Sequence, residues 1–154
     1  MKIEYQYTFG LPRKIVWKYI KDVKILKKAI PNCKSFTEPS SGVYQGEIEM
    51  NFGPIRDILQ LEIRIVKEKP PSFFHLLVRG KGDLGEIYGT ANILINAHPG
   101  GALVTIQADA DLKGALLTAA QKVLDVGSQK GLELFFEKME KEIKYSLYQI
   151  RRKK

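Results

Sequence analysis

Gly80-Lys81-Gly82-Asp83-Leu84-Gly85-Glu86-Ile87-Tyr88-Gly89-Thr90-Ala91-Asn92-Ile93 is the stretch whose reading decides the fold. Its first six residues match G-x-G-x-x-G, the spacing of a dinucleotide-binding loop. That loop works only when a helix N-terminus follows to receive the pyrophosphate. Here the residues after Gly85 alternate instead, with Ile87, Gly89, Ala91 and Ile93 on one face and Glu86, Tyr88, Thr90 and Asn92 on the other. A period of two is a strand. The glycines are then expected in a hairpin turn, where positive φ is needed, and no nucleotide site is expected.

The same period extends on both sides. Upstream, Leu59, Leu61, Ile63 and Ile65 alternate with Gln60, Glu62 and Arg64 in a long strand running to Lys69, opened by a turn at Asn51-Phe52-Gly53-Pro54. Before it, Pro39-Ser40-Ser41-Gly42 reads as a turn between a strand from Cys33 and another over Val43–Met50. Phe73–Arg79 follows Pro70-Pro71, and Pro99-Gly100-Gly101 separates Glu86–His98 from Ala102–Leu112. Consecutive strands with short turns form an antiparallel meander.

The ends differ. Ile3, Tyr5, Tyr7 and Phe9 mark a first strand. Pro12 suits the first turn of a helix carrying Ile15, Val16, Tyr19 and Ile20, and a second helix over Val23–Ala29 stops before Ile30-Pro31. From Gly114 to Leu147 the spacing is helical: Leu116, Ala120, Val123, Gly127, Gly131 and Leu134 fall on one face, with Leu117, Leu124, Phe135 and Met139 beside them. The order is strand, two short helices, six strands, one long helix. The expected class is α+β, one domain over residues 1–154.

Composition fits this reading. With 44% hydrophobic and 27% charged residues the chain is ordinary globular material and not disordered. No apolar run reaches the roughly 18 residues of a membrane span. Met1-Lys2-Ile3-Glu4-Tyr5 alternates and lacks the apolar stretch of a signal peptide, and Cys33 has no partner for an internal disulfide. A cytoplasmic protein is expected. The net charge of +8 is uneven: +7 lies in residues 12–34, +5 in residues 138–154, and −4 in the rest. Two basic segments on an acidic body suit an anionic membrane surface, a nucleic acid or an acidic protein, or are solvated faces. The cations expected to make anionic contact are Lys24, Lys27, Lys28, Arg151, Arg152, Lys153 and Lys154, aided at the last helix by Ile143, Tyr145, Leu147, Tyr148 and Ile150.

Chemistry has little support in the sequence. His75, His98 and Cys33 show no metal-ligand spacing, so no metal or cofactor is expected. Asp109 with Asp111, and Glu47 with Glu49, share strand faces opposite the apolar sets Val104–Ile106–Ala108–Ala110 and Ile48–Met50, which reads as solvated sheet surface rather than an acid–base pair. No serine or cysteine sits in a nucleophilic context. The chain does not read as an enzyme. Small inward residues are more suggestive: Gly89, Ala91, Ala108 and Ala110 on strands, Ala120, Gly127 and Gly131 on the helix. They provide either close helix–sheet contact or room for a ligand.

Taken in order, Ile15-Val16-Trp17, Ala29-Ile30-Pro31-Asn32-Cys33, Gly53-Pro54-Ile55, Gly80-Lys81-Gly82, Tyr88-Gly89-Thr90-Ala91, Asp125-Val126-Gly127 and Phe135-Phe136 resemble the CoxG family of carbon monoxide dehydrogenase subunits, within the START/Bet v 1-like superfamily. The resemblance covers nearly the whole chain. It implies a helix-grip fold, a curved seven-stranded antiparallel sheet wrapped around the C-terminal helix. It also implies an internal cavity for a hydrophobic molecule, a lipid or isoprenoid quinone, lined by Leu61, Ile63, Phe74, Leu76, Val78, Ile87, Gly89, Ala91, Ile106, Ala108, Leu117, Ala120 and Leu124. The role it implies is accessory to a carbon monoxide dehydrogenase-type molybdenum hydroxylase, with peripheral membrane association. Many members of that family continue beyond the long helix, whereas this sequence stops at Arg151-Arg152-Lys153-Lys154, so nothing is carried over from that extension. Two competing functions are a cyclase or dehydratase of the same superfamily, which would need titratable groups in the cavity, and a basic nucleic-acid or ribosome-associated module, which would favour interleaved stacking aromatics.

Overall fold

The computed structural model describes residues 1–52 and 54–152, with side chains described for all of these except 52, 55 and 119–130. The elements in chain order are β1 (Lys2–Phe9), α1 (Arg13–Tyr19), α2 (Val23–Ala29), β2 (Cys33–Ser40), β3 (Val43–Phe52), β4 (Ile55–Lys69), β5 (Phe73–Gly82), β6 (Gly85–His98), β7 (Gly101–Gly114) and α3 (Ala115–Arg152). The seven strands form one antiparallel sheet in the order β1-β7-β6-β5-β4-β3-β2. Period two and short turns dictate this order, since each hairpin lays a strand beside its predecessor. Only β1 joins from the other end, beside β7.

Local chemistry sets the boundaries. The Pro12 carbonyl accepts the amides of Ile15 and Val16, so proline stands just outside α1 and not in its first turn. Asp22 caps α2 by accepting from the amides of Lys24 and Ile25, which satisfies donors that a helix start leaves open. β2 runs on to Ser40, leaving Ser41-Gly42 as the turn, with Gly42 at φ 76°. β3 likewise extends through Phe52.

The sheet has an apolar inner face and a polar outer one. β1 contributes Tyr5, Tyr7 and Phe9 to the inner face, and these surround Phe136 of α3 at ring separations of 5.9, 5.4 and 6.0 Å. Phe136, Met139 and Ile143 are almost wholly buried, and each such burial contributes about 1.5–3 kcal/mol. Polar ties fix the same half of α3: Glu140 Oε1 accepts from the Tyr7 hydroxyl and the Gly10 amide, and Lys28 Nζ lies 3.5 Å from Glu142. Trp17 meets Phe74 edge-on at 5.8 Å, while Lys21 Nζ sits 3.9 Å over the indole and 3.0 Å from Glu68, tying α1 to the end of β4.

This packing corrects the helix face read from the sequence. Gly131 is exposed and Leu134 is 56% exposed. The buried stripe of the C-terminal half is Phe136–Met139–Ile143, because the aromatic wall of β1 meets the helix there. Among the described residues no helix is long and apolar enough to cross a membrane.

Candidate functional site

The inner face does not close into one core among the described residues. A larger buried cluster holds Phe9, Val16, Phe74, Ala91, Ile93, Ile95, Val104, Phe136, Met139 and Ile143. A smaller one at the other end holds Leu59, Leu112 and Leu116, with Met50, Leu61 and Ile87 leaning on it. Between them runs a row of register neighbours, Ile63–Val78–Gly89–Ala110. Ile63, Val78 and Ala110 are half-buried and belong to neither cluster. Gly89 faces Ala110, and Ala91 faces Ala108, so four small residues form a block over β6 and β7. A Cβ at Gly89 would find its three nearest atoms in Asp109 and Ala110 of β7, the closest at 3.2 Å. Among the described residues, then, it is the neighbouring strand that crowds Gly89.

Of the residues proposed to line a cavity, Leu61, Ile63, Leu76, Val78, Ile87, Gly89, Ala91, Ile106 and Ala108 share this inner face. Phe74 also points inward, but at 4% exposure it is packed against Trp17 in the larger cluster. Leu117 is 40% exposed; its neighbour Leu116 is the residue packed with Leu59 and Leu112. Ala120 and Leu124 fall in 119–130, outside the described side chains. The described wall of the gap is therefore the sheet.

The glycine-rich stretch is the β5–β6 hairpin, with Asp83-Leu84 as its turn. Each glycine has a steric reason: a Cβ at Gly80 would strike Ile87, one at Gly82 would meet Asp57 Oδ2 at 2.5 Å, and Gly85 stands at φ 145° against the Lys113 carbonyl. The amides that a phosphate would need are already engaged. Leu84 donates to Asp57 Oδ2 at 2.9 Å and Asp83 to Asp57 Oδ1 at 3.2 Å, with Ile58 donating to the same oxygen at 2.8 Å. These bonds, led by that from Leu84, hold the Asp57 carboxyl below the ordinary carboxylate range. The Leu84 carbonyl then accepts the Leu116 amide at 2.9 Å, joining the hairpin tip to the start of α3. Sequence reading missed Asp57. The available signal was its parity with Leu59, which puts a lone carboxylate on an apolar register.

The other polar candidates stand apart from the gap. Asp109 and Asp111 are exposed and Glu47 and Glu49 half-buried, all on the outer face, where Glu49 pairs with Lys34 at 3.4 Å. His75 Nδ1 and Asn92 Oδ1 are 2.6 Å apart on that face, and His98 is exposed. The Cys33 thiol bonds the Ser35 carbonyl at 3.3 Å, and burial pushes its pKa up. A depression of about 860 Å³ also lies on the outer side, between side-chain rows that include Glu62–Arg79–Tyr88–Asp111 and Gln60–Lys81–Glu86–Lys113. It is solvent-open and its charges partly answer one another, as in Lys81–Glu86 at 4.0 Å. Among the described residues no group of three metal-ligating side chains occurs. Of the cations expected at an anionic surface, Lys24, Lys27, Arg151 and Arg152 are exposed and Lys28 is paired with Glu142; Lys153 and Lys154 lie outside the described residues. Ile143 is fully buried and Leu147 packs on the core, so neither is available for surface contact.

An antiparallel sheet of seven strands gripping a long C-terminal helix is the helix-grip architecture of the START/Bet v 1-like proteins. The family model of the carbon monoxide dehydrogenase subunit CoxG matches residues 7–144, and the chain belongs to that family. No curated protein matches the chain in sequence. Among solved structures it is similar to a conserved protein from Geobacillus kaustophilus, 23% identical with a TM-score of 0.85, covering 95% of this chain and 97% of that one. It is also similar to a Thermus thermophilus protein, 11% identical with a TM-score of 0.67 over 95% of this chain and 99% of that one. A third likeness is to an aromatase/cyclase from a Streptomyces species, 10% identical with a TM-score of 0.67 over 96% and 95% of the two chains. At these identities the structural likeness establishes the fold alone.

Proposed function

We propose that this chain binds an apolar small molecule, a lipid or isoprenoid quinone, between the sheet and α3, without transforming it. The observation that carries this reading is the row of Ile63, Val78, Gly89 and Ala110, which among the described residues joins neither buried cluster. Apolar side chains that stay half-accessible in the middle of a sheet's inner face forgo the contacts that native cores make, and an apolar occupant restores them. Membership of the CoxG family supports an accessory role beside a carbon monoxide dehydrogenase-type molybdenum hydroxylase. Peripheral contact with an anionic membrane is part of the same reading. It is supported by a helical stripe of exposed residues on α3, Leu134, Lys138, Lys141, Tyr145, Tyr148 and Arg152, in which the three apolar members are each more than half exposed.

A cyclase-like activity is the second reading, because one solved structure of this fold is an aromatase/cyclase. Binding is favoured over chemistry because, among the described residues, the inner face carries one buried carboxylate, Asp57, whose oxygens are taken up by three amides. Native mass spectrometry of the purified protein tests the proposal. A co-purified apolar mass removed by organic extraction and restored by adding a quinone or fatty acid supports it. A protein that carries no adduct and binds neither probe overturns it.

A further inference from the structure

The two edges of the sheet are built differently. Along β2 the register slips between Cys33 and Ser35 and again between Thr37 and Ser40, and Pro39 removes a donor. Bulges and proline are the devices by which exposed edges avoid pairing with other chains. β1 has neither. Lys2 to Phe9 pair with Asp109 to Ala102 without a slip, and the strand contains no proline.

The hydrogen-bond pattern shows what that edge offers. Met1 and Ala110 exchange both of their main-chain bonds, at 2.8 and 2.9 Å. In an antiparallel ladder this alternates, so odd residues of β1 bond β7 while even residues point away. The N–H and C=O groups of Lys2, Glu4, Gln6 and Thr8 therefore face outward, and among the described residues they have no hydrogen-bond partner. The next donor in the series, the Gly10 amide, is satisfied by Glu140 Oε1 at 3.2 Å. One end of the edge is thus closed by a carboxylate of α3, and a run about 20 Å long is left open.

The surroundings of the edge are acidic. Glu133 and Glu137 are exposed and share a helical stripe of α3 with Glu140, whose carboxylate bonds Tyr7 and Gly10 at the end of β1. Along with burial, their charges raise the pKa of the Tyr5 hydroxyl. On the outer face Lys2 and Glu4 offset each other, so the acidic character lies on the α3 side.

We propose that β1 is an interaction surface that accepts, as an eighth strand, an extended basic segment of a partner protein with Lys or Arg at alternate positions. Main-chain bonds to Lys2, Glu4, Gln6 and Thr8 provide the pairing, as in other strand-addition complexes. The cations of one face meet Glu133 and Glu137, which selects the partner by charge. A second copy of this chain is disfavoured, because pairing β1 with itself about Tyr5 sets the Glu133 and Glu137 carboxylates of both copies against each other. The edge is separate from the inner-face gap, so it stands or falls independently of ligand binding.

Amide hydrogen exchange with an eight-residue peptide of alternating lysine and threonine, acetylated and amidated, tests this. The expected result is at least tenfold slower exchange at the amides of Lys2, Glu4, Gln6 and Thr8, with little change at Ile3, Tyr5 and Tyr7. Gln6→Pro should abolish the effect without removing a ladder bond, since that amide is unpaired. Should Gln6→Pro fail to fold, the exposed double variant Glu133→Lys with Glu137→Lys decides, and is expected to weaken peptide binding tenfold or more. No slowing at millimolar peptide overturns the proposal, as does equal slowing by a glutamate–threonine peptide. Protection that appears without peptide as protein concentration rises would assign the edge to a second copy and overturn the basic partner.

Discussion

The carboxylate of Asp57 holds the amide of Leu84 at 2.9 Å, across 27 residues of sequence, and so occupies the position a phosphate would take in a glycine-rich loop. Its pKa is lowered by that bond, so the carboxylate form is the one the fold stabilises. A depressed carboxyl contributes stability that is present above its unfolded pKa, near 4, and is lost as pH falls through the lower folded value. The expected outcome is that Asp57→Asn shifts the acid-unfolding midpoint to higher pH and flattens stability against pH below about 4. An unchanged acid profile by circular dichroism would show that the hairpin tip does not depend on this charge.

The same relationship predicts no saturable binding of NAD or ATP at millimolar nucleotide, since the turn amides are engaged and a strand follows Gly85. A calorimetric titration that saturates and is eliminated by Gly82→Val would overturn this.

Two glycines should respond in opposite directions. Among the described residues a Cβ at Gly131 meets nothing within 4 Å, so Gly131→Ala removes only the helix penalty of glycine and should stabilise by about 1 kcal/mol. A Cβ at Gly80 strikes Ile87, so Gly80→Ala should destabilise by about 1–3 kcal/mol. Urea melts of both variants check this, and a destabilised Gly131→Ala would mean that the residue serves something other than helix geometry.

The strand faces were legible in the sequence, and the helix face was not. Period two leaves one choice per strand, so Ile87–Gly89–Ala91–Ile93 and Val104–Ile106–Ala108–Ala110 were assigned to the inner side where the register places them. On α3, Leu132, Phe135, Phe136 and Met139 fall within about 100° of one another, while Leu134 continues the stripe read from Leu116 on the other side of the helix. Spacing alone could not choose among these stripes; the aromatic wall of Tyr5, Tyr7 and Phe9 did. The role of Asp57 was hidden for a similar reason, because two of the three amides it holds, those of Asp83 and Leu84, come from a different hairpin.

Ala110, which among the described residues belongs to neither buried cluster, is diagnostic. If the space holds a ligand, Ala110→Phe fills it, leaving the fold intact and reducing affinity for an apolar fluorescent probe by at least tenfold. In a solid core the same change overpacks and costs about 1–3 kcal/mol. Lowered stability with unaltered probe affinity would remove the cavity reading.

The basic segments predict contact with anionic lipid that depends on salt. Lys24 and Lys27 on α2 and Arg151 and Arg152 at the end of α3 are exposed, whereas Lys28 lies 3.5 Å from Glu142. Each cation near an anionic bilayer contributes about 1 kcal/mol at low salt, so those with no ion-pair partner among the described residues should dominate. Lys24→Gln should therefore weaken sedimentation with vesicles containing phosphatidylserine more than Lys28→Gln does. Arg151→Gln with Arg152→Gln should weaken it further without moving the melting temperature, since surface changes away from the core are thermally small. Tyr145→Ala with Tyr148→Ala separates insertion from attraction: the rings are more than half exposed and contribute only if they enter the interface. Binding should fade as the Debye length falls from about 30 Å at 0.01 M salt to about 8 Å at 0.15 M. A nucleic acid of similar charge density is the control, and equal binding to both would show only that the protein is cationic. If vesicles fail to sediment the protein even at low salt, the membrane reading is removed, and an acidic protein becomes the partner that these two segments fit.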